Sequence, residues 1–342
     1  MNITELEKII AQIKRYQLED NIRNIENWLR NLNKKQIKNF ISLEIHPLKP
    51  IEKLKSLLVS AKALNGDYYL EDIKLITDAK TDEIANYLRI VAMNANSLES
   101  EYHREDMKLI ADEKTDEIAN YLRIVAMNAN SLESEYHRED MKLIADEKTD
   151  EIANYLSIVA CSKDSLESEY HREDMKLIAD AKNSGIANYL SDVSMDADSL
   201  ESEYHREDMK LIADAKTDEI ANYLSDVSMN VYSLESEYHR EDMKLIADAK
   251  NSGIANYLCS LSISVNSLES EHHKEDMKLI ADAKNARAAK KIYYNIINQY
   301  VVKNKKDYVT FQEKIDAIHQ NAVEYTDGDT TKELDDSVFT LK

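Results

Sequence analysis

The sequence predicts an all-α protein, an α/α solenoid built from 34-residue two-helix repeats with a helical cap at each end. Only four glycines and two prolines occur in 342 residues, too few for many strands joined by tight turns. Within each repeat, apolar residues follow the 3.6-residue period of a helix. An eleven-residue segment recurs letter for letter every 34 residues, which is typical of a stacked repeat array, and its copies begin at Tyr102, Tyr136, Tyr170, Tyr204 and Tyr238.

Residues 1–66 do not follow the repeat, and we interpret them as an N-terminal helical cap that shields the first repeat from water. Asp20 is expected to cap one of its helices, and another is expected to run from Ile51 to Leu64 and to end at Gly66. The segment holds twelve basic and seven acidic residues, a net charge of +5. A separate basic docking domain is the alternative interpretation.

The second helix of each repeat has the clearest pattern, shown here by the repeat that begins at residue 101. Thr115 is a good N-cap, and two acids follow it where the helix dipole favours negative charge. The inward stripe then has helical spacing and consists of Ile118, Tyr121, Leu122, Val125 and Ala126. Two repeats begin this helix with Asn-Ser-Gly, at Asn183 and Asn251, and asparagine is an equally good cap.

The first helix is expected to begin after a break near Tyr136 and His137. An unbroken helix from Ser131 would bury Asp140 between two apolar faces, which is costly. With the break, residues 131–135 form a turn or short helix, and Glu139 and Asp140 become solvated acids in a first helical turn. Neither helix of a repeat can bury its stripe alone, so the repeats must stack.

The predicted array spans residues 67–284, with repeats that begin at residues 67, 101, 135, 169, 203 and 237 and a partial one at 271. A C-terminal helical cap is expected at 285–325, where Thr310 and Glu313 form a capping-box pattern. The polar segment 326–342 is expected to be a disordered tail.

The repeats carry 23 basic and 49 acidic side chains, a net charge of −26. Such a surface repels nucleic acid and anionic membrane and attracts a basic partner. The start lacks the pattern of a signal peptide, and no apolar run is long enough to cross a membrane. Cys161 and Cys259 form no CxxC pair. We therefore expect a reduced, cytoplasmic protein.

The 34-residue period and the helix-turn-helix unit resemble tetratricopeptide repeats, and more loosely HEAT and armadillo repeats. The resemblance covers residues 67–284 and extends to period and unit only. The repeats contain no Trp, and their first helices contain no Gly, so the Trp-x-x-Leu-Gly-x-x-Tyr signature is missing. The resemblance implies a right-handed superhelical scaffold with a concave surface for a partner, without assigning a named family.

One histidine in each repeat precedes a Glu-Asp pair, which raises the question of a metal or catalytic site. Equivalent residues in stacked repeats lie roughly 10 Å apart, the packing distance of helices, whereas metal ligands converge within about 2 Å of one ion. A catalytic pair of carboxylates is also unlikely to be copied five times in succession. We expect no metal, no cofactor and no enzymatic activity, and we expect each histidine to lie at the start of a helix. These histidines are His103, His137, His171, His205, His239 and His273.

The copies differ mainly in the second half of the second helix and in the loop after it. One hypothesis is a graded partner-binding face, basic and apolar at first and acidic further on. Drift on a solvated face explains the pattern equally well. The candidate residues are Arg89, Ile90, Arg123, Ile124, Ser157, Ile158, Ser191, Asp192, Ser225, Asp226, Cys259 and Ser260.

The function expected from these patterns is a non-enzymatic scaffold that binds a protein or peptide on that variable face, and the acidic repeats favour a basic partner. The alternative is an acidic decoy that imitates nucleic acid and inhibits a DNA- or RNA-binding protein, for example a defence nuclease. A decoy should align its acids along one stripe. The sequence leaves the partner and the oligomeric state open.

Overall fold

A computed structural model describes residues 3–44 and 54–301. Within these residues every regular element is a helix, which confirms the predicted all-α solenoid. The chain divides into two compact parts, of which the first ends at Asp196 and the second begins at Ala197. The helix expected after Thr310 and the expected tail at 326–342 lie outside the described residues.

The N-terminal cap differs from its prediction at two helix starts. Asn24, rather than Asp20, caps the second helix, and its side chain accepts a hydrogen bond from the Asn27 amide at 2.9 Å. The helix expected from Ile51 to Leu64 is two short helices among the described residues, because Ser60 starts a new one. The prediction that Gly66 ends it is confirmed. The cap consists of Ile3–Arg15, Ile25–Asn31, Lys34–Ile41, Lys55–Leu58 and Ala61–Asn65, with a 3₁₀ turn at Glu19–Asn21.

Aromatic and polar contacts hold the cap together. The rings of Trp28 and Phe40 meet edge to face, with centroids 5.2 Å apart. The Trp28 indole nitrogen donates to the carbonyl of Val59 at 3.1 Å, next to the break before Ser60. This bond satisfies a carbonyl at the end of the Lys55–Leu58 helix that the break leaves free.

Each repeat contributes a first helix, a second helix and a short connector helix. The first helices are Tyr69–Asp78, His103–Asp112, His137–Asp146, His171–Ala179, His205–Ala213, His239–Ala247 and His273–Ala281. The second helices are Asp82–Val91, Asp116–Val125, Asp150–Val159, Ser184–Val193, Asp218–Ser228 and Ser252–Ser262. The connector helices are Ala95–Glu99, Ala129–Glu133, Lys163–Glu167, Ala197–Glu201, Val231–Leu234 and Val265–Leu268, and a final helix runs over Ala286–Val301.

The second helices begin at the predicted cap residues and have the predicted inward stripe, although the Thr149 side chain makes no capping hydrogen bond. The Thr115 hydroxyl accepts a hydrogen bond from the Ile118 amide at 3.2 Å, and Asn251 caps its helix in the same way. Leu122 and Val125 are fully buried, and Tyr121 is half-buried. The inward face lies against the first helix of the same repeat and against neighbouring second helices. The stripe therefore forms the core of the array, as predicted.

The glycine in the Asn-Ser-Gly variant of this helix start has a packing role that the sequence did not reveal. A Cβ atom on Gly253 would lie 2.4 Å from the Cβ of Ala286 in the final helix. No side chain fits in that space, so glycine allows the two helices to approach closely.

The predicted break before the first helix is also confirmed. In the repeat at residue 135, the Ser134 hydroxyl accepts a hydrogen bond from the Tyr136 amide at 3.1 Å, and the helix then begins at His137. Among the described residues, no helix combines the length and apolar character needed to cross a membrane.

Candidate functional site

The candidate face consists of six residue pairs, one on each second helix, and the structure separates the two members of each pair. The first member points into the array in the five repeats from Arg123 to Cys259, whereas Arg89 lies on an open cleft. The second member, from Ile90 to Ser260, points outward. The sequence pattern alone had placed both members on one face.

The first member packs against the preceding repeat. The Arg123 guanidinium lies over the Tyr87 ring of that repeat, 5.6 Å from its centroid, and donates to the Asn120 side chain at 2.7 Å. In later repeats the position is a small buried residue, and it is occupied by Ser157, Ser191, Ser225 and Cys259. These four side chains cannot reach a partner, because the array already covers them.

The second member is free to meet a partner. Ile124 is 38% exposed and Ile158 is 43% exposed, although both are large apolar residues. Asp192 and Asp226 are exposed at the same position, and Ile90 and Ser260 are half-buried. Partial burial raises the pKa of the Asp192 and Asp226 carboxyls. In the first compact part, the outward residues therefore run from isoleucine to aspartate along adjacent second helices.

Arg89 is a special case because no repeat precedes its own. It lies on an open cleft of about 380 Å³ that is also lined by Leu54 and Ile76, and its guanidinium donates to the Asn86 side chain at 2.7 Å. The stacking partner that Arg123 finds in Tyr87 has no counterpart from an earlier repeat here. Of the two arginines on the candidate face, Arg89 is thus the one beside an open cavity.

The recurring histidines form a second candidate site, whose contacts the sequence pattern did not predict. His137 is fully buried, with Nδ1 2.9 Å from the Ser131 hydroxyl of the connector helix before it. Its Nε2 lies 3.0 Å from a carboxylate oxygen of Asp106 in the preceding repeat. The seryl hydroxyl can donate to Nδ1 while Nε2–H donates to the carboxylate, so a neutral imidazole satisfies all three groups.

The same Ser–His–Asp contact recurs within both compact parts, and we call it the clasp. The Nε2-to-carboxylate distances are 2.7–3.2 Å, and the pairs are His103 with Asp72, His137 with Asp106, His171 with Asp140, His239 with Asp208 and His273 with Asp242. The expectation that these aspartates would be solvated is wrong. Each is buried, and the histidine of the next repeat supplies the hydrogen bond that makes burial tolerable.

Burial raises the pKa of every clasp carboxyl in these five pairs, and the hydrogen bond from the histidine partly opposes that rise. The acid just before each clasp aspartate has the predicted exposed position. Glu105, for example, forms an ion pair with Arg138 of the next repeat at 2.8 Å. Tyr102 tilts against the His137 ring, with centroids 4.7 Å apart. The repeated motif is therefore a joint between neighbouring repeats.

The clasp has the residue types of a hydrolase triad, but its geometry does not support that chemistry. A catalytic serine must meet its substrate, whereas Ser97, Ser131 and Ser165 are fully buried. No group of three or more His, Cys, Asp or Glu in the described ranges could hold a metal ion. Burial raises the pKa of the Cys161 thiol to about 11, which disfavours the nucleophilic thiolate.

At each end of the clasp series a tyrosine makes a polar contact in place of a histidine. In the first repeat Tyr69 occupies the histidine position, is buried, and its hydroxyl lies 3.5 Å from the Leu58 carbonyl in the cap. At the other end the Tyr300 hydroxyl of the final helix donates to the carboxylate of Asp276. Both tyrosines have raised pKa values, with burial as the main cause. Each cap thus supplies the polar contact that a further repeat would otherwise make.

Exposed glutamates recur beside every connector helix. In the first compact part they lie at the same two positions of successive repeats, and they are Glu99, Glu101, Glu133, Glu135, Glu167 and Glu169. Comparison of the chain with protein-family models and with curated proteins found no match.

Proposed function

We propose that this chain is a non-enzymatic scaffold that binds a protein or peptide on the outward residues of its second helices. One observation carries the proposal. Positions 90, 124, 158, 192, 226 and 260 change from isoleucine to aspartate or serine between copies, while the clasp is repeated without change. Because these side chains point outward, their variation alters a surface and leaves the core intact.

Apolar exposure supports a binding role for the first compact part. Ile124 and Ile158 lie on second helices that pack directly against each other, so their side chains are separated by roughly the 10 Å spacing of packed helices. Two isoleucines at that spacing offer an apolar contact to a partner that spans several repeats. The exposed Asp192 on the next second helix favours a basic group at that end of the partner.

The test needs a partner, which a cross-linking pull-down with the full chain would supply. Binding of the double variant Ile124→Asp and Ile158→Asp should then be weakened by more than about tenfold, because both apolar contacts are replaced by charge. Folding should be preserved, since other copies already carry aspartate there.

The matched control is the double variant Val231→Asp and Val265→Asp. These valines are each 39% exposed on connector helices and lie off the proposed face. The control should bind like the wild type. Equal losses from the two double variants, or no loss from the isoleucine variant, would contradict the proposed face.

The decoy remains the second candidate function, and the recurring connector glutamates favour it. A decoy should present acids in a row, and two exposed glutamates occupy the same place in each repeat of the first compact part. The double variant Ile124→Asp and Ile158→Asp also distinguishes the two functions. A decoy that carries this added negative charge should bind a basic partner as tightly as before or more tightly, with a steep dependence on salt. A scaffold that uses the two isoleucines should bind its partner less tightly.

We also propose a cytoplasmic location and the absence of catalytic activity. Both cysteines are free thiols, and burial raises the pKa of each, to about 11 for Cys161 and about 12 for Cys259. Such thiols suit a reducing compartment. Localisation of a tagged full-length chain by microscopy would test the first proposal. A broad hydrolase screen, compared with a Ser131→Ala and Ser165→Ala variant, would test the second.

A further inference from the structure

The outward side chains of the first helices are exposed, and yet they are the same in nearly every copy of the repeat. In the repeat at residue 101, the clasp residues point inward, and the residues that point outward are Arg104, Glu105, Lys108, Leu109 and Asp112. The four charged ones are exposed, and Leu109 is half-buried. Yet these five letters are unchanged in the copies that begin at residues 135, 169, 203 and 237. The closing copy changes only the arginine, to Lys274, and the opening copy has Leu70 there.

Recent duplication does not explain this constancy. In the same copies, an exposed position of the second helix has changed, as shown by Ile124, which becomes Asp192, and both residues are exposed. The exposed positions of the two helices had the same opportunity to drift. Only those of the first helix have stayed the same, so some contact constrains them.

Contacts inside the array account for only part of that constraint. Arg138 and Glu105 form an ion pair between repeats, although exposed pairs of this kind stabilise little. Lys108, Lys142, Asp112 and Asp146 take part in no side-chain ion pair or hydrogen bond within the parts of the chain that the structure describes. Their constancy therefore indicates a contact with something outside the array.

The charge pattern indicates what that contact is. In the repeat at residue 101, Arg104 and Lys108 form a basic row along the first helix. Glu105 and Asp112 form an acidic row beside it, and Leu109 lies between these two acids along the helix axis. This pattern recurs with each packed helix, about every 10 Å. The face is therefore neutral in net charge, although the repeats as a whole carry −26.

We propose that this face, which we call the first-helix face, binds the same face of a second copy of the chain. A two-fold axis can place the basic row of one copy over the acidic row of the other, because the pattern is self-complementary. A strongly basic partner would instead be drawn to the acidic surfaces elsewhere. The first-helix face is thus where two copies of such an acidic chain can meet without strong repulsion.

The size of the face fits a dimer contact. The four first helices of the first compact part are about 15 Å long and lie roughly 10 Å apart. They offer about 600 Å², near the ~800 Å² that each partner buries in a standard interface. A shallow groove of about 220 Å³ between two of these helices, lined by Tyr102, Leu109 and Lys142 among others, could receive side chains of the second copy.

Sedimentation velocity and native mass spectrometry of the full chain, from low to high micromolar concentration at physiological ionic strength, test the proposal. We expect a concentration-dependent dimer. The triple variant Lys108→Glu, Lys142→Glu and Lys176→Glu makes the face acidic and should raise the dissociation constant at least about tenfold. A wild-type chain that stays monomeric throughout this range would overturn the proposal.

The matched control is the triple variant Lys114→Glu, Lys148→Glu and Lys182→Glu. It makes the same change in net charge in the same three repeats, at exposed positions between the helices. An equal loss of dimer in this control would show that net charge alone governs association, and would overturn the first-helix face.

A complementary variant guards against a folding defect. The triple variant Asp112→Lys, Asp146→Lys and Asp180→Lys makes the face basic and should also fail to self-associate. Mixed with the lysine-to-glutamate variant, it should form a heterodimer tighter than either homodimer. Failure of two variants with wild-type circular dichroism to combine would overturn the pairing of basic with acidic rows.

Discussion

The first and second helices of each repeat differ in how much their outward residues vary between copies. The first helix keeps its eleven-letter motif because His137 and its equivalents must meet both a serine and an aspartate across a joint between repeats. The second helix keeps its buried stripe but changes its outward residues, as at Ile124 and Asp192. The comparison teaches that unchanged letters at buried positions report packing between repeats, whereas exposed positions can change without altering the fold.

The largest effect should come from removing a histidine of the clasp. His171→Ala leaves the buried carboxylate of Asp140 and the hydroxyl of Ser165 without their partner. Losing one member of a buried pair of this kind costs about 3–5 kcal/mol. Urea denaturation should show a loss of this size, whereas a loss below about 1 kcal/mol would mean that the clasp contributes little.

Replacing a core leucine should cause the second-largest loss of stability. Leu122→Ala creates a cavity at a fully buried position and should reduce the free energy of unfolding by about 2–5 kcal/mol. Ile124→Asp, two residues away but exposed, should cost less than about 1 kcal/mol. A larger loss from the exposed substitution would contradict the orientation of the second helix.

Removing the Tyr300 hydroxyl, which contacts the last aspartate of the clasp series, should cause an intermediate loss of stability. Tyr300→Phe removes the hydroxyl that donates to the buried carboxylate of Asp276. We expect a loss of about 1–3 kcal/mol, the cost of a weakened buried hydrogen bond. A Tyr294→Phe control changes a residue that is 52% exposed and should leave the urea midpoint unchanged.

The buried aspartates predict an unusual pH dependence. Burial is the main cause of the raised pKa of Asp140, opposed by His171 and His137 and supported by Glu139. A carboxyl with a raised folded-state pKa is protonated more readily in the folded chain than in the unfolded chain. Stability should therefore increase as the pH falls through the folded-state pKa values towards the unfolded-state value of about 3.9, and it should be lost as the pH rises through the folded-state values.

Thermal unfolding at about pH 7.5 and about pH 4.5, close to the unfolded-state pKa of an aspartate, would measure this dependence. The Asp140→Asn variant, which cannot titrate at that position, should show a smaller difference between the two conditions. A steady loss of stability on acidification, equal in both proteins, would contradict the role of the buried carboxyls.

The smallest effect should come from the exposed ion pairs beside the clasp. Arg172→Ala removes a contact with Glu139 at 2.8 Å in which both side chains are about half exposed. Solvent screening limits such a pair to less than about 1 kcal/mol. If this variant were as unstable as His171→Ala, the conclusion that the buried clasp stabilises the array more than the exposed ion pairs would be wrong.

The sequence by itself determined the helical class, the 34-residue period, the break before His137 and the buried stripe around Leu122. These features depend on local rules, namely helical periodicity, capping and the number of glycines, which a single stretch of chain reveals. The pairing of His171 with Asp140 joins residues 31 positions apart, and local rules alone treated that aspartate as a solvated acid.

Only the tertiary structure decided which polar residues are buried and which variable residues are exposed. It separated Ser157, which is buried, from Ile158, which is exposed, although the two are neighbours that both vary between copies. Helical periodicity tells which residues share a face, but it does not tell which faces the neighbouring repeat covers. That depends on how closely successive helices pack, and therefore on contacts between residues that are far apart in the chain.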